Sequence, residues 1–350
     1  MHAPLASLRQ LGILGAALVV LGGGLAWAEP PLSPEDLAKL DAALLDRTGP
    51  MKLRLEAALI LSRVGTPEAV PALLEGLGDP ELPVRAASAR ALGAVGDARA
   101  ADGLFGRLRD PERFVRDEAN DALVRLVQRG YGRAVAAATR HWDPEIRVKV
   151  AALGARLGPK LGQSLVAQAI ADPDASVRSA GQAALATWPP PQLSRFLLAE
   201  LDADSPAVRA ASAQLLGEHH LTASVPALMK MLVSPRENAQ TVAAARYALR
   251  EMSDQVDAVK LVDQARHGAR AERQMALSVL AAIHDRQAFE LLVAALDDPD
   301  LSLRSAAAMD LAVLGDTRAA TKLAVLAGRP ENASIARELQ NALARLQSAR

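Results

Sequence analysis

This chain of 350 residues contains no cysteine, and only 3% of its residues are aromatic. The absence of cysteine excludes disulfides, thiolate metal sites and thiol nucleophiles. The chain also lacks the GxSxG, SxxK and HExxH patterns and any glycine loop of the phosphate-binding type. Forty basic residues balance forty acidic ones, so no net charge favours nucleic acid or an anionic membrane surface. We therefore expect no enzymatic activity, no cofactor and no nucleic-acid partner.

The first 28 residues differ in composition from the rest of the chain. Arg9 precedes an apolar run from Leu11 to Leu25, and Ala26-Trp27-Ala28 matches a small-x-small cleavage site. This order predicts a signal peptide cleaved after Ala28. The alternative is an uncleaved membrane anchor, but the apolar run is short for a bilayer span. The expected mature protein begins at Glu29, carries a net charge of −1, and is periplasmic or secreted without stable membrane insertion.

One segment type recurs about ten times along the remaining sequence. DPELPVRAASARALGAVGD begins at Asp79, and related segments begin at Asp110, Asp172 and Asp298. The basic residue after the aliphatic position, or the alanine that replaces it, recurs at intervals of 29 to 34 residues. A fixed period of this length indicates a solenoid, in which each repeat packs only on its neighbours.

Each copy reads as two helices joined by a turn. Asp-Pro or Ser-Pro, as at Ser205 and Ser234, predicts an N-cap followed by proline in the first helical turn. The first helix ends at a Gly-Asp pair such as Gly96-Asp97, because glycine suits the left-handed residue after a helix. Second helices follow, such as VPALLEGL from Val70. No strand pattern is present, so the fold class is all-α.

The pattern DPxxxVRxxAAxALGxxGDxxAxxxLxxxL resembles a HEAT-type repeat and, more narrowly, the HEAT-like repeats of phycobilin lyases. The resemblance implies a right-handed α-solenoid of about ten two-helix repeats over residues 47–346. A capping segment is expected over residues 29–46, and a tail over residues 347–350. The resemblance also implies that proteins or peptides bind along a concave face lined by the second helices.

The basic residues at the repeated position predict a ladder with one member per repeat. In copies that contain Asp-Pro, the aspartate of the same turn stands six residues earlier, as in Asp79 and Arg85. A structural ladder of arginine-to-turn contacts explains this coupling, while a polyanion-binding stripe is the alternative. The proposed members are Arg54, Arg85, Arg116, Lys149, Arg178, Arg209, Arg273 and Arg304.

Histidines do not indicate a metal site. His219 and His220 are adjacent, so they cannot share a helical face, and they stand where other copies have the Gly-Asp turn. We therefore predict a solvated turn at this position and no bound metal.

Partner-binding residues are predicted from two signals. The first is the outward face of the second helices, taken as the positions of Ala72, Glu75 and Gly76 in the copy at Val70. The second is the set of aromatic residues at irregular junctions, which serve either as interface anchors or as packing that fills irregular turns. The resulting candidates are Asp102, Arg107, Tyr131, Trp142, Trp188, Lys230, Met231, Glu290 and Lys322.

The sequence thus favours an exported scaffold or adaptor that binds a protein or peptide partner, and we expect it to be a monomer. One alternative is an accessory chaperone or lyase-like protein that handles a bilin or another cofactor. Another is an envelope protein that self-associates.

Overall fold

The computed structural model describes residues 33–348, and within this range it contains helices and no strand. The expected signal peptide lies outside the described residues. The chain divides into two compact units, one ending at Trp188 and the other beginning at Pro189.

The described part of the first unit contains ten α-helices. They are α1 Pro34–Leu45, α2 Met51–Val64, α3 Val70–Gly76, α4 Leu82–Val95, α5 Ala101–Arg107, α6 Arg113–Leu126, α7 Gly132–Ala136, α8 Pro144–Leu161, α9 Gln163–Ile170 and α10 Ala175–Ala186. Helix α4 packs between α2 and α6, and α8 packs on α10. The predicted second helices α3 and α5 pack on α4 and α6, so the helix pairs are present in these repeats.

The described part of the second unit also contains ten α-helices. They are α11 Pro190–Glu200, α12 Pro206–Glu218, α13 Val225–Met231, α14 Ala239–Glu251, α15 Ala258–His267, α16 Arg270–Ala282, α17 Ala288–Ala295, α18 Leu301–Leu314, α19 Ala320–Ala327 and α20 Ala336–Ser348. Helix α12 packs on α14, and α18 packs on both α16 and α20. Both units are thus stacks of helix pairs, and the prediction of an all-α solenoid is confirmed.

The predicted glycine turns are present. Gly96 ends α4 with φ +68°, and Gly315 ends α18 with φ +73°. The carboxylates of Asp97 and Asp316 then accept backbone N–H groups two residues further on, which caps the 3-10 turn before the second helix. In the corresponding turn after α12, His220 itself has a left-handed φ of +49° and is exposed, as expected of a solvated turn.

The N-cap prediction is correct in some repeats and wrong in others. Asp143 caps α8 with Pro144 as its first residue, and Ser205 caps α12 in the same way. In contrast, Glu81 occupies the N-cap position of α4, so Asp79 precedes the helix. Ser234 is likewise not a cap, because Asn238 caps α14.

The core of each unit follows the alternation of first and second helices. In the first unit Leu61, Leu73, Leu92 and Leu104 come from four successive helices, and all are fully buried. Small residues permit this close stacking. A Cβ atom added to Gly93 of α4 would lie 2.7 Å from the Cα atom of Ala122 in α6, so the two helices touch through their backbones.

Candidate functional site

The ladder arginines connect each repeat to the next one. Arg54 Nε lies 2.8 Å from Asp79, and Arg85 Nε lies 2.9 Å from Asp110. In both pairs the aspartate stands 25 residues after the arginine. The predicted arginine-to-turn contact is present, but the carboxylate that pairs with each of these arginines belongs to the next repeat. The arginine's own turn contributes its backbone carbonyls instead, since Arg85 Nη1 donates to the carbonyl oxygens of Asp79 and Pro80 at 3.0 Å each.

The aspartates of the ladder accept hydrogen bonds from more than one residue. Asp110 accepts Nε and Nη2 of Arg85, and it also accepts the backbone N–H of Glu112 at 3.1 Å. Burial alone would raise the pKa of Asp110, but the hydrogen bonds from Arg85 and Glu112 outweigh it and hold that pKa below its ordinary value. Buried, doubly bonded pairs of this kind are structural contacts between repeats.

The alignment of the repeats assigned Lys149 to the ladder, and this assignment is wrong. Lys149 is exposed, and Arg147 occupies the ladder position, with Nε 2.7 Å from Asp172. With Arg147 in place, the intervals from Arg116 and to Arg178 both become 31 residues. The spacing of 25 residues between arginine and aspartate would have identified it, because the same spacing joins Arg54 to Asp79.

The other ladder positions vary in their partners. Arg273 pairs with Asp298 at 2.7 Å, and Arg209 pairs with Glu237 at 3.0 Å. Arg304 donates to the side-chain oxygen of Asn332 at 2.5 Å. Arg116 and Arg178 donate to carbonyl oxygens of their own turns and form no ion pair within residues 33–348.

Two predicted partner-binding residues are buried. Met231 is 6% exposed, because it follows Leu228 by three residues and so shares the buried face of α13. Trp188 is 4% exposed and packs inside as the chain leaves α10, which agrees with the packing alternative for this residue. In α3, Ala72 and Gly76 are also buried rather than outward-facing. The prediction that these positions form a shallow partner-binding surface on the second helices is therefore wrong.

The remaining second-helix candidates are at least partly exposed, and they are distributed over both units. Asp102, Lys230 and Glu290 are exposed. Arg107 lies 3.4 Å from Asp110. Lys322 Nζ donates to the carbonyl oxygen of Val293 at 2.9 Å and to Asp297 at 2.6 Å, which is a contact between neighbouring repeats.

Trp142 is the most exposed aromatic residue of the described chain. Its relative exposure is 82%, while that of Tyr131 is 40%. Trp142 borders a cleft of about 360 Å³ in the first unit. The cleft is lined by Thr139, Arg140, His141, Trp142, Arg147, Gln168, Ala171, Asp172 and Pro173. Of the residues predicted to bind a partner, only Trp142 lines this cleft.

The walls of the cleft are held in place by Arg147. Its Nη1 donates to the carbonyl oxygens of His141 at 2.7 Å and Trp142 at 3.3 Å. Its Nε and Nη2 donate to both carboxylate oxygens of Asp172, at 2.7 and 2.8 Å. The ladder contact thus fixes the backbone beneath the exposed tryptophan against the next repeat.

The described residues contain no group of three or more histidine, aspartate or glutamate side chains arranged to hold a metal ion. In the same part of the chain, no helix combines the length and the apolar character needed to cross a bilayer.

Stacked helix pairs linked by a repeated arginine–aspartate contact define an α-helical repeat protein. The family model for HEAT repeats matches residues 37–124 and 258–344, which together make up half of the sequence. The chain therefore belongs to the HEAT-repeat family, as its repeat pattern predicted. No curated protein matches the sequence.

Several solved structures are distantly similar. Human deoxyhypusine hydroxylase is 20% identical, with 71% of this chain and 96% of that chain covered and a TM-score of 0.28. The CpcE–CpcF complex of phycocyanin lyase from Nostoc is 20% identical, with coverages of 95% and 98% and a TM-score of 0.25. Importin beta is 15% identical, with a TM-score of 0.35, and the match spans 89% of this chain but 52% of importin beta. The fold assignment stands on the helices and on the family match.

Proposed function

We propose that this protein is an exported HEAT-repeat adaptor, periplasmic or secreted, that binds a protein or peptide partner as a monomer and has no catalytic role. The observation that supports it best is the exposure of Trp142 beside a cleft whose walls the ladder holds in place. Exposed aromatic residues next to rigid concave surfaces are common anchors of protein interfaces. A preformed surface also loses little conformational entropy on binding.

The cleft suits a peptide better than a bilin or another large cofactor. Cofactor sites are mostly apolar and enclose most of the ligand. Six of the nine residues around this cleft are polar, and Trp142 is the one large apolar side chain among them. The handling of a cofactor therefore has no specific support in the geometry.

The adaptor function can be tested by affinity capture with tagged mature protein, residues 29 to 350, from an extracytoplasmic extract of the native host. We expect a recurrent protein that survives moderate salt and is displaced by an excess of the untagged mature protein. Recovery of a coloured or small-molecule species without any protein would contradict the proposal and favour cofactor handling.

Export and oligomeric state need separate measurements. N-terminal sequencing of the protein from its native compartment should begin at Glu29, and a cytoplasmic, uncleaved protein would contradict export. Sedimentation velocity at micromolar concentration should show a monomer, whereas concentration-dependent association would favour the self-associating envelope protein.

A further inference from the structure

The cleft beside Trp142 lies where the repeat pattern is interrupted. Between α6 and α8, the usual second helix is replaced by a π-helical turn, Val127–Tyr131, the short helix α7 and a 3-10 turn, Ala137–Arg140. Gly130 has φ +96° within this segment, a value that favours glycine. The segment ends by placing His141 and Trp142 on the rim of the cleft instead of in the core.

The side chains on this rim are arranged before any ligand arrives. The ring of His141 lies 5.4 Å from that of Trp142 between centroids. Nδ1 of His141 accepts the backbone N–H of Asp143 at 3.0 Å, so in the neutral ring the proton is on Nε2, which is a donor. Together with the bonds from Arg147 to the two carbonyl oxygens, this contact limits the motion of the rim.

The unused hydrogen-bonding capacity of the cleft consists mainly of donors. Arg140 is exposed and forms no ion pair within the described chain, and the indole N–H of Trp142 and the amide of Gln168 add further donors. The single carboxylate of the cleft, Asp172, is already occupied, because Arg147 and the N–H of Asp174 bond to its oxygens. A ligand therefore meets donors and one unpaired positive charge beside an aromatic face.

The charge of the sequence around the cleft also favours an anionic ligand. Residues 125–160 contain eight arginines and lysines but only two acidic residues, although the whole chain is neutral. Of these basic residues, five are exposed and have no ion-pair partner within residues 33–348: Arg129, Arg133, Arg140, Lys149 and Lys160. A concentration of unpaired positive charge attracts an anionic partner and speeds its association.

We propose that the Trp142 cleft binds an acidic peptide segment of a protein partner, in which a carboxylate contacts Arg140 and a neighbouring apolar side chain packs on the indole of Trp142. Arginine binds a carboxylate through two parallel hydrogen bonds, which gives both orientation and affinity. A volume of about 360 Å³ accommodates one or two side chains, as expected for a short segment. This inference rests on the proposed adaptor function and names the chemistry of its partner.

The test uses mature protein, residues 29 to 350, and a displayed library of random twelve-residue peptides. We expect the selected peptides to be enriched in aspartate and glutamate next to an apolar residue. A labelled peptide of the selected consensus should bind at least tenfold more weakly to Trp142→Ala and to Arg140→Glu. Replacing the acidic residues of the peptide by asparagine and glutamine should weaken binding to the native protein by a similar factor.

Two matched variants control for general effects on charge and surface. Arg63 is an exposed arginine of the same unit without an ion pair in the described chain, and Phe114 is an aromatic residue that is 53% exposed; neither lines the cleft. Arg63→Glu and Phe114→Ala should each change peptide affinity by less than twofold. Circular dichroism should show the same helical content for all four variants.

Three outcomes would overturn the proposal. The first is that no peptide, or only non-acidic peptides, are selected. The second is that the control variants lose as much binding as Trp142→Ala and Arg140→Glu. The third is that dextran sulfate or an oligonucleotide binds in a way that depends on Arg140 while acidic peptides do not bind. The adaptor function is judged separately. If native protein and Trp142→Ala capture the same partner equally well, the adaptor function is supported and the cleft proposal is contradicted.

Discussion

At the scale of single residues, one arginine per repeat carries several contacts at once. Arg85 is 9% exposed, pairs with Asp110 of the next repeat and donates to two carbonyl oxygens of its own turn. Since these carbonyl oxygens precede a helix, no helical N–H satisfies them, and the guanidinium group takes that role. The residue therefore stabilises both the turn and the junction between repeats.

Arg85→Ala should destabilise the first unit by about 3 kcal/mol, because it leaves the buried carboxylate of Asp110 with only the longer ion pair to Arg107. Arg116→Ala, the control, removes bonds to carbonyl oxygens but no ion pair and should cost about 1 kcal/mol. Urea denaturation followed by tryptophan fluorescence measures this unit, since Trp142 and Trp188 both belong to it. Unchanged stability of Arg85→Ala with a collapse of peptide binding would show that the ladder binds ligands instead.

At the scale of helices, the second unit contains a polar contact that skips a repeat. Arg246 of α14 donates to Asp310 of α18 at 2.9 Å, and Ser278 of the intervening α16 donates to the other oxygen of the same carboxylate at 2.6 Å. Asp310 is 2% exposed. Burial raises the pKa of Asp310, although Arg246 and Ser278 both act to lower it.

The raised pKa of Asp310 predicts a dependence of stability on pH. The folded protein holds this proton to higher pH than the unfolded chain, whose aspartates titrate near pH 3.9. The contribution of Asp310 should therefore be most favourable below about pH 4 and be lost as pH rises through the folded pKa. Asp310→Asn should remove this component, because the asparagine side chain does not titrate.

The measurement is urea denaturation by circular dichroism between pH 4 and 7 for the native protein, Asp310→Asn and Asp254→Asn. Asp254 is an exposed residue of the same unit and serves as the control. Native protein and Asp254→Asn should share one profile, from which Asp310→Asn departs. Parallel profiles for all three proteins would show that Asp310 does not titrate in this window.

At the scale of the whole molecule, the repeats make stability a sum of contacts between neighbours. Removal of residues 110–142 joins Arg109 to Asp143, so that an Asp-Pro pair again follows Arg85. Helix α8 then takes the place of α6, and Ala155 stands where Ala122 met Gly93. We expect this deletion variant to remain helical and cooperative but less stable than the native protein, because it loses the contacts that one repeat makes with its neighbours.

Thermal unfolding by circular dichroism, with fluorescence of the remaining Trp188, checks this expectation. A matched deletion of residues 110–126 removes α6 without its partner segment, so the alternation of first and second helices is broken. That variant should lose the folded state of the first unit. If both deletions unfold the protein completely, the stability of the unit is not a sum of contributions from single repeats.

Much of the architecture could be predicted because it depends on short-range rules. The period, the helix pairs and the glycine turns at Gly96 and Gly315 follow from residues that lie within one repeat. The absence of cysteine and the scarcity of aromatic residues also narrow the possible chemistry, because both are properties of the composition alone. Trp142 is the one residue predicted to bind a partner that lines the cleft.

Contacts between repeats required the tertiary structure. The turn aspartate six residues before Arg85 looked like its partner, but stacking brings the aspartate of the next repeat closer. Trp142 and Trp188 both stand at irregular junctions, yet the first is 82% and the second 4% exposed. Local sequence determined which segments form helices, whereas the direction and burial of these side chains were decided only when neighbouring repeats packed together, because the groups that cover or bond them lie on other helices.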